Sequence, residues 1–185
     1  KQAGLSLKDL QIKDIASADT GAVFVDSSIA AIATYEPFMS QAIKASTRPG
    51  ARMLISSKDH RGIIIDAIIA RNDDFKANPD KYTRFLGCIY EAVDFIKAEP
   101  DKFADMASKH FGLTPEEVKD IVNGSLSYTT LAESLAYMGK AGEKGTLHGI
   151  FDTVMELNLE NGAADNKLVA ADQIDNSAIN KLPAK

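Results

Sequence analysis

Between Gly62 and Arg71 the chain places Ile63-Ile64-Ile65 and Ala67-Ile68-Ile69-Ala70 on either side of one charged residue, Asp66. No alternation separates an inner face from an outer one. The pattern predicts a strand buried on both sides, with helices above and below a sheet. The Asp66 carboxylate would then need a partner, because burying it alone is expensive. Ile29 to Ala33 is a shorter run of small and branched apolar residues that reads the same way. Ala51 to Ser56 is a further strand candidate, and Gln11 to Ile15 a short, polar one. The expected class is α/β, with mixed sheets flanked by helices.

Helices are signalled elsewhere. Asp19 is an N-cap candidate for a short segment through Val23 and Phe24, and Pro37 opens a helix from Phe38 to Ala45. From Asn78-Pro79 onward, Tyr82, Phe85, Leu86, Ile89, Val93 and Ile96 recur at spacings of three and four. Glu99-Pro100 ends that helix, and the next carries Phe103, Met106, Ala107 and Phe111 before stopping at Gly112. Thr114-Pro115-Glu116-Glu117 is a capping box, with Leu113 and Val118 as its hydrophobic staple. Leu131 to Met138 and the Leu147-to-Leu157 pattern add two helices, and the polar remainder predicts short turns laid across a surface.

Composition narrows the function classes. The chain has 185 residues, 45% hydrophobic and 25% charged, which is the range of a globular protein. Its formal charge is −5 and its lysines and arginines do not cluster, so nucleic acid is not an expected partner. Gly62 to Ala70 falls far short of the ~20 apolar residues that span a bilayer. No basic n-region and apolar h-region follow Lys1, so any export signal is expected to be removed or to lie elsewhere. One cysteine, Cys88, excludes a disulfide framework and a cysteine cage; beside Ile89 it reads as a buried, inert thiol. His60, His110 and His148 are scattered, without metal-ligand spacing, and read as surface or helix-end residues. Neither a phosphate loop nor a nucleophile elbow is present. The expectation is therefore a binder, with no catalytic residue, metal or cofactor.

One local feature has binding chemistry. Thr34-Tyr35-Glu36-Pro37 lies where a strand candidate meets a helix start, the position at which open α/β sheets hold ligands. Thr34 offers a hydroxyl, Tyr35 a ring face with a polar tip, and Glu36 a charge suited to a cationic or amine group. Free N–H groups of the helix after Pro37 would suit an anion. The competing reading is that Tyr35 and Glu36 simply cap and cover that helix start.

Taken together, these segments resemble the solute-binding proteins of ABC transporters in the nitrate, sulfonate, taurine and thiamine-pyrimidine-precursor group. Tyr35-Glu36-Pro37 resembles their W-E-P turn, and Ser56-Ser57-Lys58-Asp59-His60-Arg61-Gly62 their S-S-x-D-x-P-G crossing. Ile65-Asp66-Ala67-Ile68-Ile69-Ala70-Arg71 is similar to V-D-V-L-V-V-R. Asn78-Pro79, Ala98-Glu99-Pro100, Leu113-Thr114-Pro115-Glu116-Glu117 and Ala171-Asp172-Gln173-Ile174-Asp175 match later boundaries in the same order. Tyr35 stands where the family usually has tryptophan, Ala30 where it commonly has aspartate, and His60-Arg61 replaces a residue-proline pair.

The resemblance implies a type II periplasmic-binding-protein fold lacking its N-terminal part. Residues 1–56 would be the later part of lobe two, 57–62 the hinge crossing, and 63–185 the return into lobe one. It implies ligand contacts from Thr34, Tyr35 and Glu36, hinge roles for Ser57, Asp59 and Gly62, and lobe closure on a small solute. The solute would be a small organic anion or heteroaromatic, handed to a membrane permease from the periplasm or from a lipid-anchored extracytoplasmic position. The missing N-terminal region of the same protein is a further expected partner. The alternatives are a sensory module or a thiamine-pyrimidine-synthase-like enzyme. The enzyme would need a cysteine-rich signature that Cys88 alone does not provide.

Overall fold

The computed structural model describes residues 4, 6–60, 62 and 64–183. Lys1, Leu5, Arg61 and Ile63, which the sequence reading uses, lie outside the described residues. The chain divides into two compact units, Lys1–Asp59 and His60–Lys185.

In the first unit, single turns at Leu7–Asp9 and Ser17–Asp19 precede α1 (Thr20–Val23) and α2 (Phe38–Ala45). Asp19 sits at the start of α1 without a side-chain capping bond. The two helices pack closely where Gly21 lets α1 approach Ala42; a β-carbon at Gly21 would lie 3.5 Å from the Ala42 Cα. Thr20 and Ala42 are the buried residues of this contact. Arg48 ties the chain around it. Its Nη1 donates to the carbonyls of Phe24 (3.3 Å) and Ile29 (2.5 Å), and its guanidinium lies 4.7 Å from the Phe24 ring centroid.

The second unit contains α3 (Asn72–Ala77), α4 (Pro79–Ala98), α5 (Pro100–Phe111), α6 (Pro115–Gly124), α7 (Leu131–Met138), α8 (Thr146–Glu160) and α9 (Ala170–Gln173). Proline opens α4, α5 and α6, where its missing N–H costs nothing. Gly112, with φ of 66°, ends α5 in the left-handed conformation that only glycine adopts cheaply. Thr114 and Glu117 then cap α6 reciprocally. The Thr114 amide donates to the Glu117 carboxylate (2.9 Å), and the Glu117 amide donates to Thr114 Oγ1 (3.2 Å). The hairpin these caps define holds the main apolar cluster, Ala104, Ala107 and Val118, with Phe103, Leu113 and Val122 packed against it. Thr130 and Glu133 repeat the box at the start of α7.

A glycine-rich loop joins α7 to α8, and the tail is fastened to it. Asn176 Nδ2 lies within hydrogen-bonding distance of four loop carbonyls: Met138 (3.3 Å), Gly139 (3.2 Å), Lys140 (2.8 Å) and Glu143 (3.2 Å). Asn180 Nδ2 adds a bond to Gly139 O at 3.1 Å. Between them, Ala178 and Ile179 are buried, and beyond them Leu182 reaches α4 at Gly87.

The architecture corrects the α/β expectation. Among the described residues there is no strand, and the chain is helical. Gln11–Ile15, Ile29–Ala33, Ala51–Ser56 and the described part of 62–71 are irregular connections, so the type II periplasmic-binding-protein sheets are absent from this structure. The physical reason is partnership. Apolar composition states that a segment gains by burial, but a strand also needs a neighbour for its N–H and C=O groups. From 64 to 70 no backbone bond to another described segment forms. The isoleucines are accordingly turned outward: Ile64 is 75% exposed and Ile69 91%, and in the first unit Leu54 is 74% exposed. Asp66 is itself exposed, so its carboxylate has water and needs no buried partner.

One smaller expectation is also corrected. Cys88 is exposed on α4, because the helix turns Val93 inward and Cys88 lies off that line. His148 takes the helix-end place expected of it: it is 8% exposed in the first turn of α8, where its Nδ1 lies 3.2 Å from the Gly145 carbonyl.

Candidate functional site

Thr34, Tyr35 and Glu36 lie together just before α2 in the first unit, each with a different environment. The Thr34 hydroxyl is half-buried and hydrogen-bonded to Thr20 Oγ1 at 3.1 Å. Thr20 Oγ1 also lies 2.6 Å from the Ser17 carbonyl. The one proton of the Thr20 hydroxyl is shared between that carbonyl and the Thr34 oxygen, which accepts. What Thr34 retains for a solute is its own hydroxyl proton.

Tyr35 is 62% exposed. Its ring meets Phe38 edge to face, with centroids 5.5 Å apart and planes at 70°, which fixes one edge and leaves a face open to solvent. Of the three residues, Tyr35 is the one with stacking surface to offer.

Glu36 turns back onto its own helix. Its carboxylate accepts from the Ser40 amide (3.2 Å) and the Ser40 hydroxyl (2.9 Å). The Met39 amide is taken by the Tyr35 carbonyl (3.0 Å) and the Gln41 amide by the Pro37 carbonyl (3.1 Å). The N-terminus of α2 thus already holds an acid, the side chain of Glu36, where the sequence pattern left room for an anionic solute.

The expected hinge residues are arranged around the division between the units. Ser57 and Asp59 belong to the single helical turn Ser57–His60, entered by a bond from the Asp59 amide to the Ser56 carbonyl (3.2 Å). Gly62 has φ of 92°, a conformation that strains any residue with a β-carbon. Such a carbon would also sit 3.2 Å from Ile150 Cδ1.

One polar constellation was not anticipated. The sequence pattern shows no helix between Arg71 and Asn78, yet Asn72–Ala77 forms α3, and its Asp74 gathers Lys81, Tyr82 and Asn78 Nδ2 (2.8 Å) around one carboxylate. The lysine, then the phenol, hold this carboxyl at a pKa of about 2, below the ordinary 3.8. Arg71 makes a two-pronged bond to Asp73 alongside (3.2 and 2.6 Å). The available signal was Asp73-Asp74 in a first turn with Lys76 in the last, a charge order that suits a helix dipole. The bonds from Asn78, Lys81 and Tyr82 to Asp74 tie the start of α4 to α3, so the cluster reads as a clasp between the two helices. Among the described residues no group of histidine, cysteine and carboxylate side chains is placed to hold a metal ion.

The chain is 27% identical over 154 residues to proteins named "Putative binding protein" in Brucella abortus, Brucella suis and Brucella melitensis. The matched region covers 82% of this chain and 47% of each relative, so the chain spans about half the length of the curated relatives it matches. No family model matches, and no solved structure matches. The printed names describe these relatives as binding proteins.

Proposed function

We propose that this chain captures a small organic solute, as the extracytoplasmic binding component of an ABC-type importer. The solute is a small organic anion or a heteroaromatic of sulfonate, nitrate, taurine or pyrimidine type. The observation that carries the reading is the similarity to binding-protein relatives over 82% of the chain, together with the ordered motifs from Tyr35-Glu36-Pro37 to Ala171–Asp175. In this reading the open face of Tyr35 stacks on the solute, the Thr34 hydroxyl donates a hydrogen bond to it, and Glu36 keeps the turn rigid beside them. Ser57, Asp59 and Gly62 form the hinge. A membrane permease receives the solute, and the place of work is the periplasm or the outer face of a membrane.

The experiment is mass spectrometry of small molecules released from the natively purified chain, compared with Tyr35→Ala prepared in parallel. A solute of one of these classes, carried by the parent and absent from the variant, supports the reading. A solute retained equally by both removes Tyr35 from the wall. Parent protein that purifies empty and takes up none of these classes on incubation removes the function.

A further inference from the structure

The second unit holds a cleft of about 420 Å³ between the end of α4, the α5–α6 hairpin and the chain that leaves α6. This volume lies at the low end of the range for small-molecule sites. The floor is apolar and belongs to the main cluster, including Phe103, Ala104 and Val122. The rim is polar, and its donors are uncommitted. Among the described residues Lys97 has no ion-pair partner, and the Asn123, Ser127 and Tyr128 side chains make no hydrogen bond. After the Leu126 amide bonds the Ile121 carbonyl, the amides of Ser127 and Tyr128 also find no partner there.

The other rim charges are already spent. Lys119 is paired with Asp101 at 2.6 Å, and the Glu133 carboxylate accepts from the Thr130 amide (2.7 Å) and hydroxyl (2.8 Å) at the start of α7. One free ammonium therefore stands with several free donors over an apolar floor. A neutral apolar ligand would leave those donors unanswered, and a simple inorganic anion would leave the floor wet.

We infer that this cleft binds a compact amphipathic anion: an aromatic or branched aliphatic acid, its ring or branch on Phe103 and Val122 and its charged group on Lys97 and the Ser127–Tyr128 segment. The site is independent of the one proposed at Tyr35, and its presence does not rest on importer function.

The test is titration of the 15N-labelled 185-residue chain with benzoate, followed by amide chemical shifts. Benzyl alcohol (ring without charge) and acetate (charge without ring) serve as comparison probes. The expected result is saturable benzoate shifts centred on Asn123, Ser127 and Tyr128, with both comparison probes weaker. Lys97→Met, an exposed substitution, should weaken benzoate by about tenfold, the loss of one charge-assisted hydrogen bond. Tyr35→Ala should leave these shifts unchanged, which separates this cleft from the other site. Benzoate shifts that are absent or fall elsewhere, benzyl alcohol binding equally well, or a Lys97→Met variant that binds like the parent would each overturn the assignment.

Discussion

Glu36 and Ser40 close the first turn of α2 on itself: the carboxylate of one accepts both the amide (3.2 Å) and the hydroxyl (2.9 Å) of the other. The acid that the turn offers to a solute is thus also the acid that starts the helix. Glu36→Gln keeps the shape and removes the charge. The expected outcome is a loss of about 0.5–1 kcal/mol, the scale of an acid at a helix N-terminus. Denaturant unfolding measures it, and Glu36→Gln/Ser40→Ala should cost little more than the larger single change.

Asp74 predicts an acid limb of stability. Its pKa is held at about 2 by the Lys81 ammonium, the Tyr82 hydroxyl and Asn78, against 3.8 ordinarily. A carboxyl depressed in the folded state contributes stability that is complete above the unfolded value and is lost as pH falls through the folded one. The contribution should be intact above about pH 4 and disappear between pH 4 and 2. Asp74→Asn should unfold more easily at neutral pH and lose that part of the acid dependence. Thermal unfolding across pH 2–6 reads both.

Asn176 predicts a coupled opening. Its two amide protons are shared among four nearby carbonyls of residues 138–143, and Asn180 serves one of them again. Asn176→Ala should cost about 1–3 kcal/mol, the range for stranding polar groups. Hydrogen exchange should rise together in residues 138–145 and 175–182, with α5 and α6 unaffected. The loop itself has little room to adapt, since a β-carbon at Gly139 would meet the Glu143 carbonyl at 2.6 Å.

What the sequence disclosed follows the range of the interactions involved. Pro79, Pro100, Pro115, the Thr114–Glu117 box and Gly112 act within one helical turn, and α4, α5 and α6 begin and end where those residues require. The strand expectation failed because pairing is a property of two segments. Ile64, Ile68 and Ile69 announce a preference for burial without naming a neighbour, and in the structure they lie exposed. Cys88 was misplaced for a related reason: which side of α4 faces inward depends on what packs there. Tyr35 was legible as a ring with a polar tip before a helix start, but its 62% exposure was not. The commitment of Glu36 to Ser40 was not, because a carboxylate beside a helix start serves a solute or a cap with the same sequence.

The account stands most directly on whether the chain binds a small solute through Tyr35. Thermal unfolding of the parent and of Tyr35→Ala, each against sulfonates, nitrate, taurine and pyrimidines, measures this. A ligand at about a hundred times its dissociation constant should stabilise the parent by about 2.7 kcal/mol. The account predicts a saturable rise in melting temperature with at least one of these classes, lost in Tyr35→Ala. No rise with any class, or a rise identical in the variant, would contradict it.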